Sequence, residues 1–72
     1  MNIGQRLKDL REDKDKSQSE IAVLIGTTQS YYAQYENEKR MLPLERALIL
    51  AKYYNVTLDY LTGISDIPNP YK

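Results

Sequence analysis

The side chains of this chain that could do chemistry are mostly uncharged: Thr28, Gln29, Ser30 and Gln34. A glutamine amide can bond both N6 and N7 of adenine, and a serine hydroxyl can donate or accept at several bases. On a helix, Gln34 lies about one and a half turns beyond Gln29, so the group clusters on a face as wide as a groove. Exposed helix positions often carry Gln and Ser with no such purpose, and the clustering is what favours the functional reading. No enzyme site can be assembled. The chain has no Cys and no His, which removes thiolate chemistry, the commonest metal ligand and the usual near-neutral acid/base group. The carboxylates are spread over solvated faces and no phosphate-binding Gly loop is present, so we expect no catalytic residue, no metal and no cofactor.

The elements that position this group must fit in 72 residues, which allows one domain with a thin core. No apolar run is long enough to span a bilayer, and Met1 to Arg6 lacks the blocks of a signal peptide. The expectation is a small soluble module in the cytoplasm. Lys plus Arg and Asp plus Glu are each 10, giving zero formal charge, which by itself argues against a polyanionic partner.

Apolar spacing predicts helices nearly throughout. Ile3, Leu7 and Leu10 mark a first helix ending near Lys14 or Lys16. Ser17-Gln18-Ser19-Glu20 reads as a capping box, opening a second helix that buries Ile21, Leu24 and Ile25 and closes at Gly26. Thr28 caps a third helix from Gln29 to about Asn37, with Tyr32 and Tyr35 on one face. Lys39 to Leu42 reads as a loop. Pro43 suits the first turn of a fourth helix whose inner side carries Leu44, Ala47, Leu48, Ala51 and Tyr54. Thr57 caps a fifth, Leu58 to Thr62, which Gly63 stops. Residues 64–72 should form an extended or loosely docked tail after a 1–63 domain. The fold class is all-α, a compact bundle of about five helices.

Helix, Gly26-Thr27-Thr28, helix is the sequence form of a helix-turn-helix. A brief turn holds two helices at a steep angle, so the second can lie in a major groove while the first crosses the backbone. The alternative is an αα-corner with no nucleic acid near it. The runs QSEIA, IGTTQSYYAQYENEK and LERALILAKYYNVTLDYLTG together resemble the phage repressor and Cro class of helix-turn-helix regulators (the XRE family), from Ile3 to Gly63. That resemblance implies a lambda-repressor-like bundle that binds operator DNA, commonly as a symmetric dimer.

Position by position, the resemblance makes Thr28, Gln29, Ser30 and Gln34 the readers of base edges. It implies that Gln18 bonds a phosphate and braces the first reader. Asn37, Lys39 and Arg40 match backbone contacts, although Lys39-Arg40 taken alone reads as a solvated loop. Arg11 and Glu36 match a partly buried ion pair between the first and third helices. Tyr32, Tyr35 and Tyr54 match core positions, the first two with hydroxyls expected near the surface. Tyr31 and Tyr53 match exposed ones, and Tyr31 could donate to a phosphate or touch a thymine methyl. Two positions depart from the family pattern. Glu38 stands where Gly is usual, so either it adopts a left-handed conformation at about 1–2 kcal/mol, or Asn37 does, or the helix runs on. Pro43 comes one residue late.

The resulting expectation is a sequence-specific DNA-binding regulator, most simply a repressor, acting on double-stranded DNA at a near-palindromic operator. The rival is a protein–protein interaction module of the same fold that does not bind DNA. A homodimer surface is expected from Ile49, Leu50, Tyr60, Ile64, Ile67 and Tyr71, with core packing the preferred reading for Leu50. The zero charge then becomes a sum over unlike regions, with Asp9, Asp13, Asp59 and Asp66 away from the groove and Arg11, Lys39 and Arg40 near it.

Overall fold

The computed structural model describes residues 2–68; Tyr71, one of the expected dimer residues, and the end of the tail lie outside them. Five helices follow one another: α1 (Ile3–Asp13), α2 (Gln18–Leu24), α3 (Gln29–Glu36), α4 (Leu44–Tyr54) and α5 (Leu58–Leu61). Among the described residues there is no strand, which agrees with the all-α expectation. No helix of these is long and apolar enough to cross a membrane.

Each start has a local cause. Asn2 caps α1, accepting from the Gln5 amide at 2.8 Å. Ser17 and Glu20 close the capping box reciprocally, at 3.1 and 2.9 Å. Thr28 accepts from the Tyr31 amide and Thr57 from the Tyr60 amide. Pro43 departs from expectation. It is the extended residue before α4, with ψ 151° and no side-chain cap bond, so the helix begins one residue later.

All five helices end the same way. A residue with positive φ closes each: Asp15, Gly26, Glu38 and Gly63 just after the cap, and Asn55 as the cap of α4 itself. The next amide then bonds a carbonyl five residues back, as Thr27 does to Ala22 at 2.9 Å and Lys39 to Gln34 at 2.9 Å. This Schellman closure satisfies carbonyls the helix leaves open. Only two of the five positions are Gly, so Asp15, Glu38 and Asn55 carry the left-handed penalty of a Cβ. Asp15 is exposed. Replacing Asp15 by Gly should raise the unfolding free energy by about 0.5–1 kcal/mol, the steric relief being partly offset by the entropy of Gly. Urea unfolding measures it, and a loss of stability would contradict this account of the turn. Glu38→Gly should gain less. The Glu38 carboxylate accepts from the Gly4 amide at 3.3 Å, tying the start of α1 to the end of α3. The same approach explains Gly4, where a Cβ would overlap the Glu36 carbonyl oxygen. Glu38, not Asn37, thus takes the left-handed role, and α3 stops at Glu36.

The core comprises Leu7, Ile21, Ala22, Ile25, Tyr32, Tyr35, Ala47, Leu50, Ala51, Tyr54 and Leu61. Three expectations need correction here. Leu24 is largely outside, and Ala22 takes the inward place beside Ile21 and Ile25. On α4 the buried stripe is Ala47, Leu50, Ala51 and Tyr54, while Leu44 and Leu48 are 65% and 50% exposed. Ala47 and Ala51 belong equally to a stripe with Leu44 and Leu48 or to one with Leu50 and Tyr54. Packing against the other helices selects the second. Finally, the Tyr32 hydroxyl is buried rather than superficial, and neither it nor the Tyr54 hydroxyl has a hydrogen bond of standard geometry among the described residues. With no Phe and no Trp in the chain, tyrosine supplies the aromatic bulk of the core.

Residues after α5 fold back. The Arg6 guanidinium, buried under α5, donates to the carbonyls of Tyr60 and Ser65 at 2.8 and 3.2 Å and pairs with Asp66. The Thr57 amide bonds the Pro68 carbonyl at 3.0 Å.

Candidate nucleic-acid interface

Gly26 makes the turn that joins α2 to α3. Its φ of +76° suits a residue without a Cβ, and the turn leaves the start of α3 projecting from the body. Thr28, Gln29 and Ser30 are exposed there, and Gln34 is half-buried one and a half turns on. The four expected readers are thus displayed together.

A chain of bonds runs from the interior to this face. Arg11 and Glu36 pair by two parallel bonds, Nε to Oε2 at 2.7 Å and Nη2 to Oε1 at 3.2 Å. Their side chains are only 12% and 4% exposed. Arg11 also donates to the Lys16 carbonyl, which fixes the α1–α2 corner. Gln18 then donates to Glu36 Oε1 at 3.0 Å, and its own Oε1 accepts from Gln29 Nε2 at 2.6 Å. Gln29 is held by one N–H, so its carbonyl oxygen and second N–H remain for a ligand.

Burial alone would raise the Glu36 carboxyl pKa, but bonds from Arg11 and Gln18 and the Arg11 charge hold it below the usual value. Burial, followed by the adjacent Glu36 carboxylate, pushes the Tyr32 phenol far above its ordinary range. Glu36 is therefore the anion around which α1, α2 and α3 are assembled.

Lys39 and Asn37 are exposed just past α3. Arg40 donates through Nε to Gln34 Oε1 at 3.2 Å. Tyr31, expected to be exposed, is half-buried and packs against the core. Arg40 and Arg46 both stand over its ring, at 4.5 and 5.6 Å from the centroid. Arg46, on α4, also donates to the Tyr35 hydroxyl at 2.6 Å. Sequence reasoning missed Arg46, because its partners come from another helix and no spacing along the chain marks them. Tyr53 is half-buried as well, beneath Lys14.

A family model described as Helix-turn-helix matches residues 7–61. The chain is 39% identical over 66 residues to an uncharacterised HTH-type transcriptional regulator, YobD of Bacillus subtilis, covering 92% of this chain and 59% of that one. It is 40% identical over 63 residues to the HTH-type transcriptional regulator AnsR of the same organism, covering 88% and 53%. Identity to the cryptic phage CTXphi transcriptional repressor RstR of Vibrio cholerae is 34% over 64 residues, 89% and 58% of the two chains. The chain thus spans little more than half the length of these relatives. No solved structure matches it. With the helix pair, its capped turn and the matched segment in agreement, the chain belongs to the phage repressor and Cro-like (XRE) family of helix-turn-helix proteins.

Proposed function

We propose that the chain is a sequence-specific DNA-binding transcriptional regulator, most simply a repressor, and that α3 reads the major groove through Thr28, Gln29, Ser30 and Gln34. Gln18, Tyr31, Asn37, Lys39 and Arg40 hold the sugar–phosphate backbone. The observation that carries this reading is the fixed Gln29 amide, tied through Gln18 to a buried ion pair while its remaining donor and acceptor face outward. The printed names of the relatives, regulators and a phage repressor, support the same reading.

The protein acts in the cytoplasm as a homodimer. The exposed Leu48, Ile49, Ile64 and Ile67 and the half-buried Tyr60 form the contact; Leu50, fully buried, is not part of it. Two recognition helices related by a two-fold axis require half-sites about 34–36 Å apart, hence a near-palindromic operator.

A mobility-shift titration on genomic fragments tests the proposal, and no shift even at low salt would sink it. Gln29→Ala should cost about 1–3 kcal/mol on the cognate site and relax preference at one base pair. Lys39→Ala should weaken all sequences alike and flatten the salt dependence by about one ion per bound chain. Identical behaviour of the two variants would contradict the division into readers and clamps.

A further inference from the structure

Arg46 is the cation to which the interface so far gives no task. It stands over the Tyr31 ring at 5.6 Å, and Arg40, from the loop after α3, stands over the same ring at 4.5 Å. Each guanidinium is fixed by one neutral acceptor. Arg46 Nη1 donates to the Tyr35 hydroxyl at 2.6 Å, and Arg40 Nε donates to Gln34 Oε1 at 3.2 Å. A guanidinium has five N–H donors, so most of the donors on both are uncommitted.

The charge environment separates these two from the other two arginines. Arg6, Arg11 and Lys16 each have a carboxylate partner, at 3.2, 2.7 and 3.8 Å. Among the described residues, neither Arg40 nor Arg46 has a carboxylate within ion-pair distance. Two positive charges gathered on one aromatic platform, with neutral anchors, repel each other until an anion arrives. A ring face orients a guanidinium plane and removes rotamer freedom before binding, an advantage for Arg over Lys at a phosphate. The platform residue belongs to α3, and Gln34, which anchors Arg40, is one of its readers.

We infer that Arg40 and Arg46 form a two-guanidinium clamp on the DNA sugar–phosphate backbone, with the Tyr31 ring between α3 and α4 as its platform. The α4 residue Arg46 is thereby a DNA contact, and Tyr31 acts through its ring rather than by its hydroxyl donating to a phosphate. The inference rests on the DNA-binding reading above.

The test uses the duplex recovered by selection from a random pool, together with a scrambled duplex of equal length. Binding is measured over a range of salt for the unaltered chain, Arg46→Gln, Arg46→Lys and Tyr35→Phe. Arg46→Gln should weaken both duplexes several-fold and reduce the salt slope by about 0.9 per bound chain. Arg46→Lys should keep the slope, and so should Tyr35→Phe, which removes the anchor but not the charge. Arg46→Gln with an unaltered slope would overturn the clamp even if affinity fell, because lost support for Tyr35 neutralises no phosphate. Should Arg46→Gln fail to fold, the Arg46 Nε–Hε resonance of the unaltered chain decides: it should shift on adding duplex, and a stationary resonance overturns the clamp. Failure of the unaltered chain to bind any duplex would instead overturn the DNA-binding reading itself.

Discussion

Glu36→Ala should destabilise the fold by about 3–5 kcal/mol, the cost of stranding one member of a buried pair. The substitution leaves Arg11, 12% exposed, with Nε and Nη2 unpaired and only its Nη1 bond to the Lys16 carbonyl in place. It also removes the acceptor that positions Gln18. A small domain has about 5–15 kcal/mol in hand at most, so urea unfolding should show a marginal fold or none. The double variant Arg11→Met/Glu36→Leu should recover most of the loss, since a buried pair exchanged for packed apolar groups is often near neutral. That variant separates stability from recognition. It should fold, yet discriminate bases less well, because Gln18 and Gln29 have lost their anchor. An equal recovery of specificity would show that the network only supports the fold. The pH dependence follows from the same carboxylate. Its folded pKa is depressed below the ordinary 4.5, so its contribution is fully present above about 4.5 and is lost as pH falls through the folded value. Acid unfolding of the double variant should accordingly lack the part of the transition due to Glu36.

The second large effect lies on α4. Leu50→Ala should cost about 2–5 kcal/mol, because Leu50 is fully buried and its removal leaves a cavity. Leu48→Ala, on a half-exposed side chain in the same helix, should stay under about 1 kcal/mol in the monomer. Comparable losses from the two, measured by denaturant unfolding at low protein concentration, would mean that α4 is rotated from the orientation described here. At higher concentration Leu48→Ala should weaken self-association, which sedimentation measures.

This helix also shows where the sequence ceases to be legible. The capping box, the Gly turn and the period of α1 rest on neighbours in sequence, and they are readable at Ser17 to Glu20, at Gly26 and from Ile3 to Leu10; the Asn2 cap of α1 is not among the expectations. α4 is apolar at Leu44, Ala47, Leu48, Ile49, Leu50 and Ala51, so its own pattern cannot say which side faces inward. Two of the five residues expected inside, Leu44 and Leu48, lie outside for that reason. The same holds on α2 for Leu24 and Ala22, where size suggested Leu and geometry required Ala. At the interface, the placement of Thr28, Gln29, Ser30 and Gln34 on one display followed from the turn, and the pairing of Arg11 with Glu36 followed from family likeness. The Arg46–Tyr31–Arg40 stack joins α4 to α3 through space, and no local spacing announces it. Glu38 was ambiguous because a left-handed non-Gly residue is costly in isolation. Its bond to the Gly4 amide, across the domain, partly compensates that cost.

The zero formal charge of the chain is compatible with a nucleic-acid partner once the charges are placed. Asp66 is spent on Arg6 and Asp9 accepts from Gln5 at 2.8 Å, while Arg40 and Arg46 stand over the Tyr31 ring of α3 and Lys39 lies just past its end. About three neutralised phosphates per chain, hence about six for a dimer on its operator, imply a salt slope near −5, about half that of a strongly basic binder.

Selection of bound duplexes from a random pool tests the central claim most directly. The enriched site should have two-fold symmetry, with half-sites separated by about one helical turn, 10–10.5 base pairs, and enrichment should be lost at one position per half-site in Gln29→Ala. A pool that stays random through successive rounds, from a chain shown to be folded, would contradict it.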